Sequence, residues 1–149
     1  MTEKLNEELV FDYMPFQVEA GKIKEFAQAI GSRNPIYFDE GAAAEKGHRN
    51  IPAPPTFATV IDFWNERDFY QLFQQIGIEP NNVLHGEQEY EYCKTIYAGD
   101  VITAQAVVKQ RFRKNSMNFI MVQTIYKNQQ DEIVLINRST LIERTEAGL

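Results

Sequence analysis

The feature that most constrains the fold is a change of hydrophobic period near residue 82. Upstream of it, apolar side chains in residues 19–30 recur at the i, i+3, i+4, i+7 spacing of one helix face. They are Ile23, Phe26, Ala27 and Ile30. Downstream, residues 82–92 alternate with a period of two, which is typical of a strand. The pattern therefore predicts a helical first half and a strand-rich second half.

Capping and breaking residues place the predicted helices. Gly31 ends the helix over residues 19–30, and Asp39 caps a short helix over residues 41–46 that Gly47 ends. Proline is tolerated in the first turn of a helix, so Pro55 favours a long buried helix over residues 56–65. A shorter helix is expected over residues 69–75.

Turn-like clusters place the predicted strands. After residues 82–92, three more strands are expected at residues 101–112, 118–126 and 133–144. The connections at residues 113–116 and 128–131 are short, so neighbouring strands should be antiparallel. Residues 9–18 offer a further strand, at the sheet edge because Pro15 cannot donate to a ladder.

These elements predict an α+β fold of one domain, residues 1–149. A curved antiparallel sheet of about five strands would wrap the long central helix, because this arrangement buries both apolar surfaces. The order of elements is that of the hot-dog arrangement.

Composition limits the partners and the compartment. The net charge is −6 and no basic run occurs, which argues against nucleic acid and anionic membranes as main partners. No apolar run approaches the about 20 residues of a membrane-spanning helix. The single cysteine, Cys93, allows no intrachain disulfide and favours a reducing compartment. Since residues 1–14 lack a signal-peptide pattern, a cytoplasmic location is expected.

Specific motifs point to a family. Active hydratases of the MaoC group share a loop reading Gly-Asp-x-Asn-Pro-φ-His, in which φ is apolar, and residues 31–37 read Gly-Ser-Arg-Asn-Pro-Ile-Tyr. Four further motifs occur in order: Tyr-Phe-Asp at 37–39, Ala-Pro-Pro-Thr at 53–56, His-Gly-Glu-Gln at 85–88 and Ala-Gly-Asp at 98–100. Over residues 8–144 the chain resembles the N-terminal, FAS1-like dehydratase domain of the MaoC-like acyl dehydratases. That branch includes the non-catalytic subunits of (3R)-hydroxyacyl-ACP dehydratases.

The resemblance implies that the catalytic groups are replaced. In the active family, an Asp and a His of the loop activate water, and a backbone N–H of the later turn binds the thioester carbonyl. Position by position, these are Ser32, Tyr37 and Pro55. Serine and tyrosine have pKa values too high for unaided bases at neutral pH, and proline has no N–H. The chain is therefore not expected to run the family reaction by the family mechanism.

Other titratable residues offer weaker candidates for catalysis. His85 and Glu87 are expected on one face of a strand, where a His–Glu pair could act as a base and its orienting group. Asp62 and Glu66 lie on or beside the central helix, where some hot-dog thioesterases keep a carboxylate. For all four, packing or hydrogen bonding is the more common role.

Contacts to an acyl thioester are expected from the loop, the turn and the helix aromatics, because acyl pockets are largely apolar. The candidates are Asn34, Pro54, Thr56, Phe57, Phe63 and Trp64. A turn-forming role for Asn34 and a core role for the aromatics are the alternatives. No metal or cofactor is implied.

Three functions remain open. The first is a subunit that binds acyl-CoA or acyl-ACP and completes a dimer with an active MaoC-like chain. The second is a homodimeric thioesterase or hydratase that uses other carboxylate or histidine groups. The third is a catalytically silent module that binds acyl-CoA.

Overall fold

The second half of the chain forms an antiparallel sheet in the computed structural model, which describes residues 2–3 and 9–145. Three short strands precede the helices, and four long strands follow them. They are β1 (Thr2–Glu3), β2 (Val10–Asp12), β3 (Phe16–Gln17), β4 (Val83–Tyr92), β5 (Val101–Lys114), β6 (Met117–Lys127) and β7 (Ile133–Arg144). The strand order is β1-β5-β6-β7-β4, and β2 and β3 also pair with β5. Strand β4 therefore lies at one edge of the sheet.

The helices cover one face of this sheet. They are α1 (Ala20–Ala29), α2 (Glu40–Glu45), α3 (Ala58–Phe63) and α4 (Phe69–Ile76), with single 3₁₀ turns at Pro35–Tyr37 and Pro80–Asn82. The core forms between α1, α3, α4 and alternate residues of the strands, such as Ile102, Ile120 and Leu141, which are fully buried. The predicted α+β hot-dog arrangement is confirmed.

The predicted caps and strands correspond closely to the observed ones. The Asp39 carboxylate accepts a hydrogen bond from the Ala42 N–H, 2.8 Å away, and caps α2 as expected. All four long strands begin and end within two residues of the prediction. The ends of the predicted domain, residues 1, 4–8 and 146–149, lie outside the described part of the chain.

Two elements differ from the prediction. Helix α3 has six residues instead of ten, because residues 55–57 form a turn and Asn65 leaves the helix to bond both main-chain groups of Met14. The predicted edge strand over residues 9–18 is interrupted between Asp12 and Phe16, around Pro15. It divides into β2 and β3, both antiparallel to β5.

A buried carboxylate holds the turn before β5. Asp100 is 1% exposed, and its Oδ1 accepts hydrogen bonds from Arg49 Nη2 (2.7 Å) and Gln129 Nε2 (3.1 Å). Its Oδ2 accepts from the Tyr97 N–H at 2.8 Å. The Arg49 guanidinium also lies over the Tyr97 ring, 4.3 Å from its centroid. Asp100 thus joins the segment before α3, the start of β5 and the β6–β7 connection.

We expect Asp100→Ala to lower the free energy of unfolding by about 3 kcal/mol, because it leaves a buried N–H and a guanidinium without their acceptor. Urea denaturation followed by circular dichroism measures the change. Asp12→Ala is the control, since Asp12 lies on an exposed edge and bonds only the side chain of Gln105 among the described residues. Its effect should stay within about 0.5 kcal/mol. Equal effects of the two variants would contradict a special role for Asp100.

Candidate functional site

The loop over residues 31–37 is built by local hydrogen bonds. Asn34 caps the 3₁₀ turn, as its Oδ1 accepts from the Ile36 N–H at 3.3 Å. The Ser32 hydroxyl accepts from the Asn34 N–H at 3.4 Å. Tyr37 is half-buried against the hydrophobic core. Ser32 and Tyr37, which stand where the resemblance places an Asp and a His, therefore have structural contacts in this loop.

The turn before α3 offers no free donor from Pro54 or Pro55, since neither residue has an N–H. The Phe57 N–H donates to the Pro54 carbonyl at 3.0 Å, and the Tyr92 hydroxyl of β4 donates to the Pro55 carbonyl at 3.0 Å. Thr56 is exposed, whereas Phe57 is buried against Phe16 and Phe26. Phe57 is thus part of the core.

A cavity of about 320 Å³, which we call the turn cavity, adjoins this turn. It lies between the beginning of α3, the end of β4 and the beginning of β7, and its walls are mostly apolar. Its lining residues include Pro54, Pro55, Ala58, Tyr92, Cys93 and Leu135.

A second cavity of about 230 Å³, which we call the helix cavity, lies further along α3. Its walls come from α3, the beginning of α4, β4 and β7. The lining residues are Thr59, Asp62, Phe63, Phe69, His85, Gln88, Tyr90, Asn137 and Ser139. The two cavities are adjacent, because Tyr92 of the turn cavity and Tyr90 of the helix cavity have ring centroids 6.1 Å apart. We call the two cavities together the groove, since both lie between α3 and the β4 edge.

The carboxyl group of Asp62 is the most buried titratable group of the groove. Its residue is 7% exposed, and its Oδ1 accepts hydrogen bonds from the Tyr13 hydroxyl (2.9 Å) and the Tyr126 hydroxyl (2.5 Å). Burial raises the pKa of Asp62 from its ordinary 3.8 to about 6, although both hydrogen bonds act in the opposite direction. Burial and the charge of Asp62 raise the pKa of both tyrosines. Both hydroxyls therefore stay protonated and donate.

Strands β4 and β7 each contribute an amide group to the same cavity. Gln88 Nε2 of β4 donates to Asn137 Oδ1 of β7 at 2.9 Å. Asn137 and Ser139 are both buried, whereas His85 and Gln88 lie exposed at the β4 edge. The helix cavity thus has a polar wall that runs from the edge of the sheet to Asp62.

The expected His85–Glu87 pair does not form. The β4–β7 register shifts between these two residues, since His85 lies opposite Leu141 and Glu87 lies opposite Thr140. Gly86 is the extra residue of the bulge. His85 therefore lines the helix cavity, while Glu87 lines a separate surface cavity with Arg138 on the other face of the sheet. The expectation that the two share one face assumed strict alternation, and it was wrong because of this bulge.

The remaining candidates lie in different places. Phe63 lines the helix cavity beside Asp62. Glu66 is exposed and lies outside both cavities. Trp64 is 73% exposed and has the Lys22 ammonium 5.2 Å above its ring. Of the six expected contact residues, only Pro54 and Phe63 therefore line the groove.

Several residues around Asp62 carry no signal in a single sequence. Tyr13, Tyr126 and Asn137 lie 49, 64 and 75 positions from Asp62, and only the assembled sheet brings them together. Gln88 falls within a motif of the resemblance, yet the motif alone does not show that its side chain faces α3.

No group of three or more potential metal ligands occurs among the residues that the structure describes. Within the same residues, no helix is long and apolar enough to cross a membrane.

Comparisons with known proteins identify a family for this chain. The family model described as "FAS1-like, dehydratase domain region" matches residues 9–137. A UPF0336 protein of Leifsonia xyli subsp. xyli is 33% identical over 132 residues, which are 87% of each chain.

Two solved structures from Mycobacterium tuberculosis share the fold. One chain of the C-terminally truncated HadBC (3R-hydroxyacyl-ACP dehydratase) complex has a TM-score of 0.79 and 23% identity, covering 91% of this chain and 95% of that one. One chain of the ChsH1-ChsH2 complex has a TM-score of 0.72 and 24% identity, covering 93% and 91%. At such identities the likeness shows the fold alone.

The raised pKa of Asp62 gives the fold a specific pH dependence. A carboxyl that binds its proton more tightly in the folded state stabilises the fold below pH 3.8, and this stability is lost as the pH rises through about 6. Since a tenfold change in proton affinity corresponds to about 1.4 kcal/mol, the loss is on the order of 3 kcal/mol. Asp62→Asn should abolish it.

Denaturation of the wild type and of Asp62→Asn between pH 4 and pH 7 measures this effect. The free energy of unfolding of the wild type should fall relative to that of the variant as the pH rises. Asp12→Asn, on the exposed edge, should follow the wild type at every pH. Parallel curves for the wild type and Asp62→Asn would show that Asp62 titrates as an ordinary carboxyl.

Proposed function

Because the chain belongs to the FAS1-like dehydratase domain region family, we propose that it is a thioester-binding hot-dog subunit without a catalytic pair of its own. It binds acyl-CoA or acyl-ACP and completes a dimer with an active subunit of a (3R)-hydroxyacyl dehydratase or enoyl hydratase. The observation that carries the proposal is the chemistry of three positions, Ser32, Tyr37 and Pro55.

The reaction needs groups that these positions do not offer. Hydration adds the hydroxyl of water to the β-carbon and a proton to the α-carbon of an enoyl thioester, and dehydration is the reverse. A base must activate the water, and a donor must stabilise the developing enolate oxygen. Ser32 and Tyr37 are poor bases, and the Pro55 carbonyl is an acceptor already bonded to Tyr92. In this proposal the base and the donor come from another chain.

The groove supports the binding half of the proposal. Its turn cavity, at the turn where the family binds the thioester carbonyl, is mostly apolar. The groove continues along α3 into the helix cavity, so an extended acyl chain can lie between α3 and the β4 edge.

The edge of the sheet supports the dimer. Within the described residues β4 pairs with β7 on one side, and its other side pairs with no strand. The backbone groups of an edge strand are available to a strand of another chain. A partner strand there would close the open side of the groove. The dimer would then contain the partner's catalytic loop.

The charges of β4 favour a different chain over a second copy. Glu87, Glu89 and Glu91 are exposed on its outer face, and Arg138 bonds two of them, Glu89 at 2.6 Å and Glu91 at 2.8 Å. In an antiparallel pair of two β4 strands centred on Glu89, Glu89 would stand opposite its copy and Glu87 opposite Glu91 of the partner subunit. Like charges directly opposite destabilise a sheet. A partner strand with lysine or arginine at alternate positions fits better.

The decisive measurement is hydration of a short enoyl-CoA by the chain alone and by its mixture with a MaoC-like chain that carries the Asp/His loop. We expect no turnover by the chain alone. In the mixture we expect an activity, or a preference for acyl length, that the partner alone lacks. Turnover by the chain alone that His85→Ala or Asp62→Asn abolishes would contradict the proposal and favour an enzyme with relocated groups.

The outer face of β4 gives a second prediction. Replacing Glu87, Glu89 and Glu91 together by Gln should strengthen self-association at least tenfold, because the charge repulsion between two copies disappears. Light scattering after gel filtration, at low and high salt, measures it. Added salt should strengthen self-association of the wild type and leave the variant unchanged. A tight wild-type homodimer that is insensitive to salt and to the substitutions would exclude this preference.

A further inference from the structure

The helix cavity is more polar than the binding of a plain alkyl chain requires. Besides Phe63 and Phe69, its lining offers a carboxyl, an imidazole, two amides and three hydroxyl groups. Of these residues, Asp62, Asn137 and Ser139 are more than nine-tenths buried in the chain itself. Asn137 and the Thr59 and Tyr90 hydroxyls have partners within the chain. A methylene chain beside Asp62 Oδ2, Ser139 and Gln88 would displace water and give these three groups no hydrogen bond in return, which costs free energy.

The Asp62 carboxylate has capacity for one more donor. Both tyrosine hydroxyls donate to Oδ1, and no hydrogen bond from the described residues reaches Oδ2. Asp62 itself lines the cavity. At neutral pH this carboxyl, with a pKa of about 6, is mostly ionised and acts as an acceptor. A ligand atom beside it must therefore donate.

The other polar groups of the cavity favour a ligand atom that also accepts. The Ser139 hydroxyl and the amide of Gln88 can donate, since Gln88 uses one of its two amide hydrogens for Asn137. A hydroxyl group donates one hydrogen bond and accepts two. An ammonium group would satisfy Asp62 but would leave these donors without an acceptor, and a ketone or ether would leave Oδ2 without a donor.

The distance along α3 places this group on the acyl chain. Pro55 lies at the turn where the thioester is expected, and Asp62 follows seven residues later. Residues 55–57 form a turn, and a helical rise of about 1.5 Å per residue places Asp62 roughly 6 Å beyond Ala58, which also lines the turn cavity. The hydroxyl that the cavity fits is thus several carbons away from the thioester, distinct from the β-hydroxyl that dehydration removes.

We propose that the helix cavity binds a distal hydroxyl group of the acyl chain, with Asp62 as its acceptor and Ser139 and Gln88 as its donors. This inference rests on the thioester-binding role proposed above and names the substrate class: acyl thioesters that carry a hydroxyl group several carbons from the carbonyl. Asp62 is a specificity-determining residue in this scheme.

Calorimetric titration with four matched thioesters tests the proposal, using the chain alone and its complex with an active MaoC-like subunit. The probes are octanoyl-CoA and its 8-hydroxy, 8-methoxy and 8-amino derivatives. We expect the 8-hydroxy compound to bind at least tenfold more tightly than octanoyl-CoA. The 8-methoxy compound, which accepts but cannot donate, should show no such gain, and the 8-amino compound should bind more weakly than the 8-hydroxy compound.

Substitutions of the two proposed donors, Gln88 and Ser139, show whether the hydroxyl binds in the helix cavity. Gln88→Leu and Ser139→Ala should each reduce the preference for the hydroxyl at least threefold, with octanoyl-CoA bound as well as or better than by the wild type. Gln110→Leu is the matched control, because Gln110 is exposed on β5 and does not line the cavity. It should leave the preference unchanged. Thermal melting of each variant verifies that the fold is retained.

The outcomes separate this inference from the proposed function. If octanoyl-CoA binds as tightly as the 8-hydroxy compound, the distal-hydroxyl site is refuted while the thioester-binding role stands. If Gln88→Leu and Ser139→Ala both keep the preference for the hydroxyl compound, the hydroxyl does not bind in the helix cavity and the proposal is refuted. If the 8-amino compound binds more tightly than the 8-hydroxy compound, the proposed hydroxyl site is refuted and the cavity prefers an ammonium group. If no thioester binds, either to the chain or to the complex, the proposed function itself fails.

Discussion

The two hydrogen bonds at Asp62 Oδ1 determine how the central helix sits in the sheet. A six-residue helix has little stability of its own, so contacts with the rest of the chain must fix its position. Tyr13, between β2 and β3, and Tyr126, on β6, reach the same carboxylate oxygen from two different elements. A rotation or translation of α3 would break both bonds and leave buried polar groups unpaired. As a consequence Thr59, Asp62 and Phe63, at i, i+3 and i+4, face the helix cavity.

Local signals in the sequence were sufficient for most of the fold. Alternation predicted β4, turn-like clusters placed the other three long strands, and Asp39, Gly31 and Gly47 marked helix boundaries, because each signal acts on its neighbours in the chain. The length of α3 was overestimated since Asn65 leaves the helix through bonds to Met14, which is 51 positions away. The bulge at Gly86 was missed for a similar reason: its register depends on β7, and a period of two cannot show where an extra residue stands.

The candidate site was harder to predict than the fold. Asp62 was identified as a carboxylate near the central helix, but a surface role was the more common expectation for such a residue. Its burial depends on two tyrosines that no spacing rule connects to it, and the raised pKa follows from that burial. The loop around Asn34 was simpler, because an Asn that caps a turn bonds the backbone two residues ahead.

The loop and the turn are held in different ways. Ser32 and Tyr37 lie in a loop built by hydrogen bonds between near neighbours in the chain, whereas the Pro55 carbonyl accepts a hydrogen bond from Tyr92 of β4, 37 positions away. The groove depends on Asp62, on Asn137 and Ser139 of β7, and on the edge of β4, which pairs with no strand on its outer side among the described residues. Strand β4 thus presents two different faces at the edge of the sheet: Gln88 lines the helix cavity on one, and Glu87, Glu89 and Glu91 lie exposed on the other. In the function proposed above, the first face acts on the choice of acyl chain and the second on the choice of partner.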